Sequence, residues 1–292
     1  MKQVRHRVYS FKREYNTADM GTIRVRDDVG TIHEFAAPPR RIVSLVPSLT
    51  ESVIALGGAD RLVGVTEWCI YPEDVVKSIP KVRGTKNPYI QKILELEPDL
   101  VLANHEENRE RHVAELRRYI PVFLTYPRAV FDALKTIKDL GQILAVSEHA
   151  GELIETCEFL LDGARQKSDP YFYTACLIWR DPWMVVGHDT YAGDLLGQFG
   201  LINVFGEDDG RYPETSLETL AEREPEVVLL PNEPFEFEEQ HKIEVQSAIW
   251  KSVPGCRVVL LEGSFLTWWG ARTLPALSYL SEIRRGLCDR NP

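Results

Sequence analysis

Short apolar runs alternate with amphipathic segments along the first part of the chain. The predicted strands are the apolar runs Arg41–Val46, Arg61–Val65, Asp99–Leu102 and Val122–Thr125. The predicted helices between them show helical spacing, with Gly57-Gly58 ending the first and the others at Tyr89–Leu96 and Glu107–Arg118. Short helices that separate apolar strands are typical of a parallel α/β lobe.

The first strand-to-helix turn has the sequence of a nucleotide-binding unit without its phosphate motif. Ser48 and Glu51 have the spacing of a capping box, which predicts a helix start at that point. Neither G-x-G-x-x-G nor G-x-x-x-x-G-K-[ST] occurs in the turn. The turn is therefore expected to face a ligand other than a nucleotide.

A longer helical pattern follows, from Ala129 to about Lys167, without a proline. It predicts one connecting helix over residues 129–168, on the order of 55 Å long at 1.5 Å per residue. The α/β alternation then returns, with strands at Ala175–Trp179, Met184–Val186, Glu226–Leu230 and Arg257–Leu261 and helices at Tyr191–Phe199 and Thr273–Leu287.

The second half also repeats a segment of the first half. Ile93–Leu102 aligns with Leu220–Leu229, and each reads as a helix end, a Glu-Pro stop, an acidic residue and a strand. The predicted fold is α/β, with two Rossmann-like lobes joined by one long helix and a ligand cleft between the lobes. The boundaries are residues 1–21 for an N-terminal extension, 22–128, 129–168 and 169–292.

Composition narrows the classes of function. With 34 Lys and Arg against 44 Asp and Glu, the net charge of −10 argues against nucleic acid as a partner. No apolar run reaches the ~18 residues of a membrane span, and no signal-peptide pattern or lipid-anchor cysteine is evident near the start. We therefore expect a cytoplasmic protein, with a periplasmic location as the alternative. Five cysteines without a C-x-x-C argue against a disulfide framework and a thiol-rich zinc site.

The segment Thr22–Glu51, with Pro38-Pro39-Arg40-Arg41 and the strand and turn that follow, resembles the substrate-binding proteins of ABC importers for vitamin B12, ferric siderophores and haem. The likeness extends to the C-terminus and is greatest to the vitamin B12 binders, through Trp68, Tyr71-Pro72 and the Asn108–Arg111 segment. It implies a non-catalytic protein that binds a metal chelate, a cobalt corrinoid or an iron chelate, with no required cofactor. A corrin offers a broad apolar face and a polar rim, for which aromatic and arginine side chains are suited.

The resemblance places ligand contacts in both lobes. The predicted ligand-binding residues are Trp68, Arg83, Asn104, His105, Trp183, Met184, Tyr212, Trp268, Trp269 and Arg272. Of the adjacent pair Trp268-Trp269, at least one is expected to contact the ligand. Trp250 has no family counterpart and is expected in the core.

Two histidines raise the question of a metal ion. His105 and His188 are expected at strand ends facing the cleft, where either could be an axial ligand to the chelated metal. A zinc or manganese site is the alternative, and it would need three or four converging ligands.

The resemblance also implies docking to an ABC permease through one acidic residue on each lobe. Glu218 matches the C-lobe residue, but the N-lobe position is Gln91, which carries no charge. Together with the missing signal peptide, this substitution weakens the expectation of a permease partner.

Two other functions stay open at the sequence level. A siderophore or haem binder would use Arg83, Arg128, Arg180 and Arg272 to clamp acidic groups. A chelatase-like enzyme would use His105 or His188 with Glu106, Glu107 or Asp189. No H-E-x-x-H or G-x-S-x-G motif is present, so no enzyme is predicted.

Overall fold

The computed structural model describes residues 22–166, 169–206 and 210–289. The predicted N-terminal extension, residues 1–21, lies outside the described residues. Of the described chain, 22–125 and 139–147 form one compact unit, and the remainder, from Tyr126 to Lys138 and from Glu148 onward, forms a second.

The first unit is a parallel sheet covered by short helices. Its strands are β1 (Ile23–Arg26), β2 (Ile32–Phe35), β3 (Ile42–Ser44), β4 (Leu62–Val65), β5 (Leu100–Asn104) and β6 (Val122–Thr125). Its helices are α1 (Pro47–Ala55), α2 (Glu73–Val76), α3 (Ile90–Glu95) and α4 (Glu110–Leu116). β1 and β2 form an antiparallel hairpin, whereas the main sheet is parallel in the order β4-β3-β5-β6. The predicted strands and helices of this part of the chain are confirmed.

The start of α1 differs from the prediction. The helix begins at Pro47, with Val46 as its N-cap and no side-chain capping bond, so the predicted Ser48–Glu51 capping box is wrong. Proline is favoured at the first helical position because its missing N–H would have no intrahelical partner there. Ser48 is instead buried inside the first turn, where its carbonyl accepts a hydrogen bond from the Ser52 hydroxyl at 2.6 Å.

The connecting segment consists of two helices, α5 (Val130–Ile143) and α6 (Ser147–Gln166), and not of the single helix predicted for 129–168. α5 ends in a Schellman motif, in which Val146 N–H donates to the Gly141 carbonyl at 2.7 Å and Ala145 N–H donates to Gln142 at 3.1 Å. Ala145 has the left-handed φ of 58° that this motif requires. The periodic pattern missed the break because the residue at the turn is alanine, a strong helix former.

The second unit is a mixed sheet. Its strands are β7 (Phe172–Trp179), β8 (Trp183–Val185), β9 (Leu201–Asn203), β10 (Glu214–Thr215), β11 (Val227–Pro231) and β12 (Arg257–Leu261). Its helices after α6 are α7 (Tyr191–Gly197), α8 (Leu217–Glu222), α9 (Glu239–Ile249), α10 (Ser264–Thr267) and α11 (Thr273–Asp289). The order is β10-β8-β7-β11-β12, with β9 beside β7; β7, β9, β11 and β12 pair in parallel, and β8 is antiparallel to its neighbours.

The repeat seen in the sequence is present in the structure of each unit. After α3 and α8, Glu97 and Glu224 adopt left-handed φ values of 46° and 49°, directly before a proline. The acidic residue that follows then binds the backbone of a neighbouring strand. The Asp99 carboxylate accepts the Arg41 amide, just before β3, at 3.0 Å, and Glu226 accepts the Tyr173 amide in β7 at 2.8 Å. The Glu-Pro-acid sequence therefore has the same structural role twice.

The two-unit α/β fold class predicted from the sequence is confirmed. In the part of the chain that the structure describes, no helix is both long and apolar enough to cross a membrane.

The break between α5 and α6 is testable with Ala145→Gly. A non-glycine residue in the left-handed region costs on the order of 1–2 kcal/mol, which the added backbone entropy of glycine offsets in part. We expect the free energy of unfolding, measured by urea denaturation, to rise by up to about 1 kcal/mol. The matched control Ala150→Gly, buried inside α6, should lose about 1 kcal/mol or more. Equal losses in the two variants would contradict the Schellman assignment.

Candidate functional site

Exposed aromatic side chains lie on the loops that follow β4 in the first unit, beyond the carboxyl end of that strand, where ligands bind in open α/β sheets. We call Trp68, Tyr71, Arg83 and Tyr89 the aromatic rim. The indole of Trp68 is 64% exposed, and the two tyrosines are each 46% exposed. Large apolar side chains that remain in solvent together mark a binding surface more often than single exposed residues do.

A buried cysteine, Cys69, anchors the loop that carries Trp68. The Cys69 sulfur lies 3.1 Å from the hydroxyls of both Thr50 and Thr66, and Lys81 Nζ donates to the Cys69 carbonyl at 3.0 Å. Burial raises the pKa of the Cys69 thiol, and the two threonine hydrogen bonds only partly offset this. Cys69 is therefore a protonated structural anchor for the rim.

Arg83 joins the second loop of the rim to the first. Its carbonyl accepts the Glu67 amide at 3.0 Å, and its guanidinium lies 4.8 Å from the centre of the Tyr89 ring. The residue has a left-handed φ of 69°, a conformation that non-glycine residues retain only where surrounding contacts fix it and that is frequent at ligand sites. Tyr89 was not among the predicted contacts. Its position directly after the Gly84–Pro88 loop is the one sequence feature that could have indicated it.

The two predicted contacts at the end of β5 differ in their surroundings. Asn104 is buried: its Oδ1 accepts the amides of Glu106 and Glu107 at 2.9 and 3.0 Å, and its Nδ2 donates to the Thr125 carbonyl at 3.1 Å. Through these bonds Asn104 fixes the backbone of the turn that follows β5. His105, the next residue, is exposed.

The second unit carries a group of charged and aromatic residues that we call the arginine cluster: Tyr126, Arg128, Asp189, Arg211 and Tyr212. The Asp189 carboxylate accepts from Nη1 of Arg128 at 3.1 Å and lies 3.5 Å from Nη1 of Arg211. The same Arg211 nitrogen donates to the Tyr126 hydroxyl at 2.6 Å. Both guanidinium groups also lie over the Tyr126 ring, at 5.5 and 5.1 Å. Tyr212, which is 41% exposed, was predicted as a corrinoid contact, and Arg128 was predicted only for the siderophore or haem alternative.

A close backbone approach brings Asp189 to this cluster. Gly187 N–H donates to the Arg211 carbonyl at 2.8 Å, and a β-carbon on Gly187 would lie 2.0 Å from the Gly210 oxygen. Only glycine fits at that position. His188, which follows, is exposed, and Asp189 has a left-handed φ of 58°.

Trp183 and Met184, at the start of β8, are half-buried. The Trp183 ring is parallel to that of Phe237, with centroids 6.2 Å apart, and the Arg180 guanidinium lies 5.5 Å from its centre. Arg180 in turn pairs with Glu244 through two nitrogens, at 3.2 and 3.0 Å. Arg180, which directly follows β7, therefore forms a structural ion pair with Glu244.

The predicted contacts of the final loop are buried. Trp268, Trp269 and Arg272 are exposed by only 7%, 6% and 9%. Trp268 Nε1 donates to Glu233 at 2.6 Å, and the Arg272 guanidinium lies 4.7 Å from the Trp268 ring. This network ties the loop after β11 to the loop after β12. Trp250, expected in the core, is instead 53% exposed at the end of α9, so that expectation is wrong.

The predicted docking residues lie on short helices. Gln91 is exposed on α3 and donates to Glu95 at 3.3 Å. Glu218 is exposed in the first turn of α8, where hydrogen bonds from its own backbone amide and from Ser216 lower the pKa of its carboxyl. A docking role for either residue stays a prediction.

Among residues 22–166, 169–206 and 210–289, no group of three His, Cys, Asp or Glu side chains could hold a metal ion. A zinc or manganese site at His105 or His188 therefore has no support in that part of the chain. Their assignment as axial ligands stays a prediction.

Residues 42–254 match the family model described as Periplasmic binding protein. The chain belongs to the periplasmic binding protein family. The vitamin B12-binding protein of Vibrio campbellii is 26% identical over 197 residues, which cover 65% of this chain and 70% of the relative. The vitamin B12-binding protein of Pectobacterium carotovorum is 22% identical over 82% of this chain and 86% of the relative.

Solved structures agree on the fold. The periplasmic vitamin B12 binding protein BtuF of Vibrio cholerae superposes with a TM-score of 0.74 at 22% identity, covering 87% of this chain and 99% of that chain. The periplasmic haem binding protein HutB of Vibrio cholerae gives 0.71 at 22% identity, over 83% and 98%.

Membership of the periplasmic binding protein family confirms the predictions of a resemblance to this class and of a binding protein that is not an enzyme. The expected cytoplasmic location is not supported, because both the family and the superposed structures are described as periplasmic. They favour the periplasmic alternative.

Gly187→Ala tests the contact that builds the arginine cluster. Because the new methyl group would overlap the Gly210 carbonyl, the backbone must shift, and we expect a loss of about 2–4 kcal/mol in the free energy of unfolding, as for other changes that strain a packed site. Gly197→Ala is the matched control, since nothing lies within 4 Å of the added carbon in α7. It should be neutral or stabilising by up to about 1 kcal/mol. Urea denaturation that ranks the two variants equally would contradict the close approach.

Proposed function

We propose that this periplasmic binding protein binds a corrinoid of the cobalamin type. The single observation that carries the proposal is the aromatic rim, an exposed apolar surface at the ligand-binding edge of a parallel sheet. The names of the curated relatives, vitamin B12-binding proteins, support the same ligand class.

The rim has the chemistry that a corrin requires. Its ring faces supply a flat apolar surface, and Arg83 supplies donors for the amides at the edge of the macrocycle. Covering about 100 Å² of the exposed Trp68 surface would contribute about 2.5 kcal/mol. That is enough for Trp68 alone to change affinity more than tenfold.

The second candidate is a haem-type chelate. The arginine cluster favours it, because guanidinium groups suit the carboxylates of a porphyrin. The haem binding protein HutB is among the superposed structures. The two candidates differ in which unit supplies the decisive contacts.

We further propose that the protein works in the periplasm with an ABC permease. The family description supports this setting. Glu218, ionised and exposed on α8, would meet a permease arginine, while Gln91 would contribute no charge. A single exposed ion pair is worth only ~0–1 kcal/mol, so the absence of an ion pair at Gln91 is compatible with docking.

The test is a titration of the protein with cyanocobalamin, haemin and ferric citrate, followed by tryptophan fluorescence and the visible spectrum. Cyanocobalamin should quench the fluorescence to saturation. Trp68→Ala should weaken that binding at least tenfold, because it removes the largest exposed ring of the rim.

Trp250→Ala is the matched control, as Trp250 is similarly exposed and lies at the end of α9 in the second unit. Its affinity should stay within about twofold of the wild-type value. Saturable binding of haemin, without binding of cyanocobalamin, would contradict the corrinoid proposal and support a haem-type ligand. If the Trp68 and Trp250 variants bound cyanocobalamin with equal affinity, the aromatic rim would not be part of the ligand-binding site.

A further inference from the structure

We propose that Gly84 is a positioning residue of the ligand site, because the absence of a side chain there fixes where the Trp68 indole lies. The inference rests on the proposed function and deepens it by naming a residue that acts on the ligand through Trp68. Gly84 is itself buried, whereas the indole of Trp68 is exposed. A buried glycine beside an exposed contact residue can set the geometry of a ligand surface without belonging to that surface.

The first step is the contact between Gly84 and two side chains. A β-carbon at this position would lie 3.2 Å from Nε1 of Trp68 and 2.6 Å from Oδ1 of Asn87. Optimal contacts between carbon atoms lie at about 3.5–4.0 Å, so both side chains occupy space that an alanine methyl group would need. The nitrogen-bearing edge of the indole therefore lies close to the backbone of Gly84, while most of the ring stays exposed to a ligand.

The second step is that the backbone around Gly84 is held on both sides. The Arg83 carbonyl accepts the Glu67 amide at 3.0 Å, and the Thr85 carbonyl accepts Nδ2 of Asn108 at 2.9 Å. Asn108 is buried, so a backbone shift that broke this hydrogen bond would leave a buried polar group unsatisfied. We therefore expect an alanine at position 84 to displace the two neighbouring side chains and not the backbone.

The third step is that this displacement costs the fold little. Both Trp68 and Asn87 are exposed, and their indole and amide groups lie at the ends of rotatable side chains. Gly84 does not have the left-handed φ that would disfavour alanine. Gly84→Ala should therefore move Trp68 without unfolding the protein, so that affinity and stability respond differently.

The experiment measures the position of Trp68 and the affinity for cyanocobalamin in the same variants. With fluorotryptophan in place of tryptophan, fluorine NMR gives one signal for each indole, and the Trp68 signal is the one that Trp68→Phe removes. Affinity is measured by titration with cyanocobalamin, and stability by the melting temperature. Gly163→Ala is the matched control, since nothing lies within 4 Å of an added carbon at that position in α6.

We expect Gly84→Ala to shift the Trp68 signal more than any other indole signal and to weaken cyanocobalamin binding about fivefold, less than Trp68→Ala does. Its melting temperature should stay within about 3 °C of the wild-type value, as should that of Gly163→Ala, whose affinity should be unchanged. Adding Asn87→Ala to Gly84→Ala should leave the affinity low, because this change relieves the overlap with Asn87 but not the one with Trp68.

Four results would each overturn this inference and leave the proposed function standing. They are an unmoved Trp68 signal, an affinity of Gly84→Ala within about twofold of wild type, recovery of affinity in the double variant, and a melting temperature far below that of the control. If the wild-type protein does not bind cyanocobalamin, the proposed function fails and the inference fails with it.

Discussion

Parallel strand pairing is the constraint on which the rest of this structure depends. In a parallel sheet every carboxyl end lies at the same edge, so loops far apart in sequence meet there. In the first unit this brings the loop after β4, with Trp68, beside the loop that contains Arg83 and Tyr89. Hydrogen bonds between backbones, and not the aromatic residues themselves, decide that these side chains become neighbours.

The loops of the two units show two different uses of aromatic and arginine side chains. Trp268 and Arg272 are buried and bonded to loop partners, so they fix the backbone of the second unit. Trp68 and Arg128 remain exposed on supported loops: Lys81 holds the Cys69 carbonyl next to Trp68, and Asp132 accepts the Arg128 amide. Ligand surfaces of binding proteins are commonly built in this way, with rigid supports behind exposed contact groups.

Most of the fold could be predicted from the sequence because strand and helix periods are local. Val122–Thr125 and Arg257–Leu261 match the predicted strands at both ends. The helix break at Ala145 could not be seen, since it depends on a left-handed φ in a residue that favours helices. The burial of Trp268 and the shared contact of Arg128 and Arg211 with Asp189 could not be predicted, because they depend on tertiary contacts that no local pattern records.

The central claim is that the loops of the aromatic rim, residues 66–72 and 83–89, are a ligand-binding surface. Amide hydrogen exchange measured with and without saturating cyanocobalamin tests it most directly, because exchange reports each segment separately. Addition of the corrinoid should slow exchange in both loops. Binding that leaves both loops unchanged and protects other segments of the chain instead would contradict it.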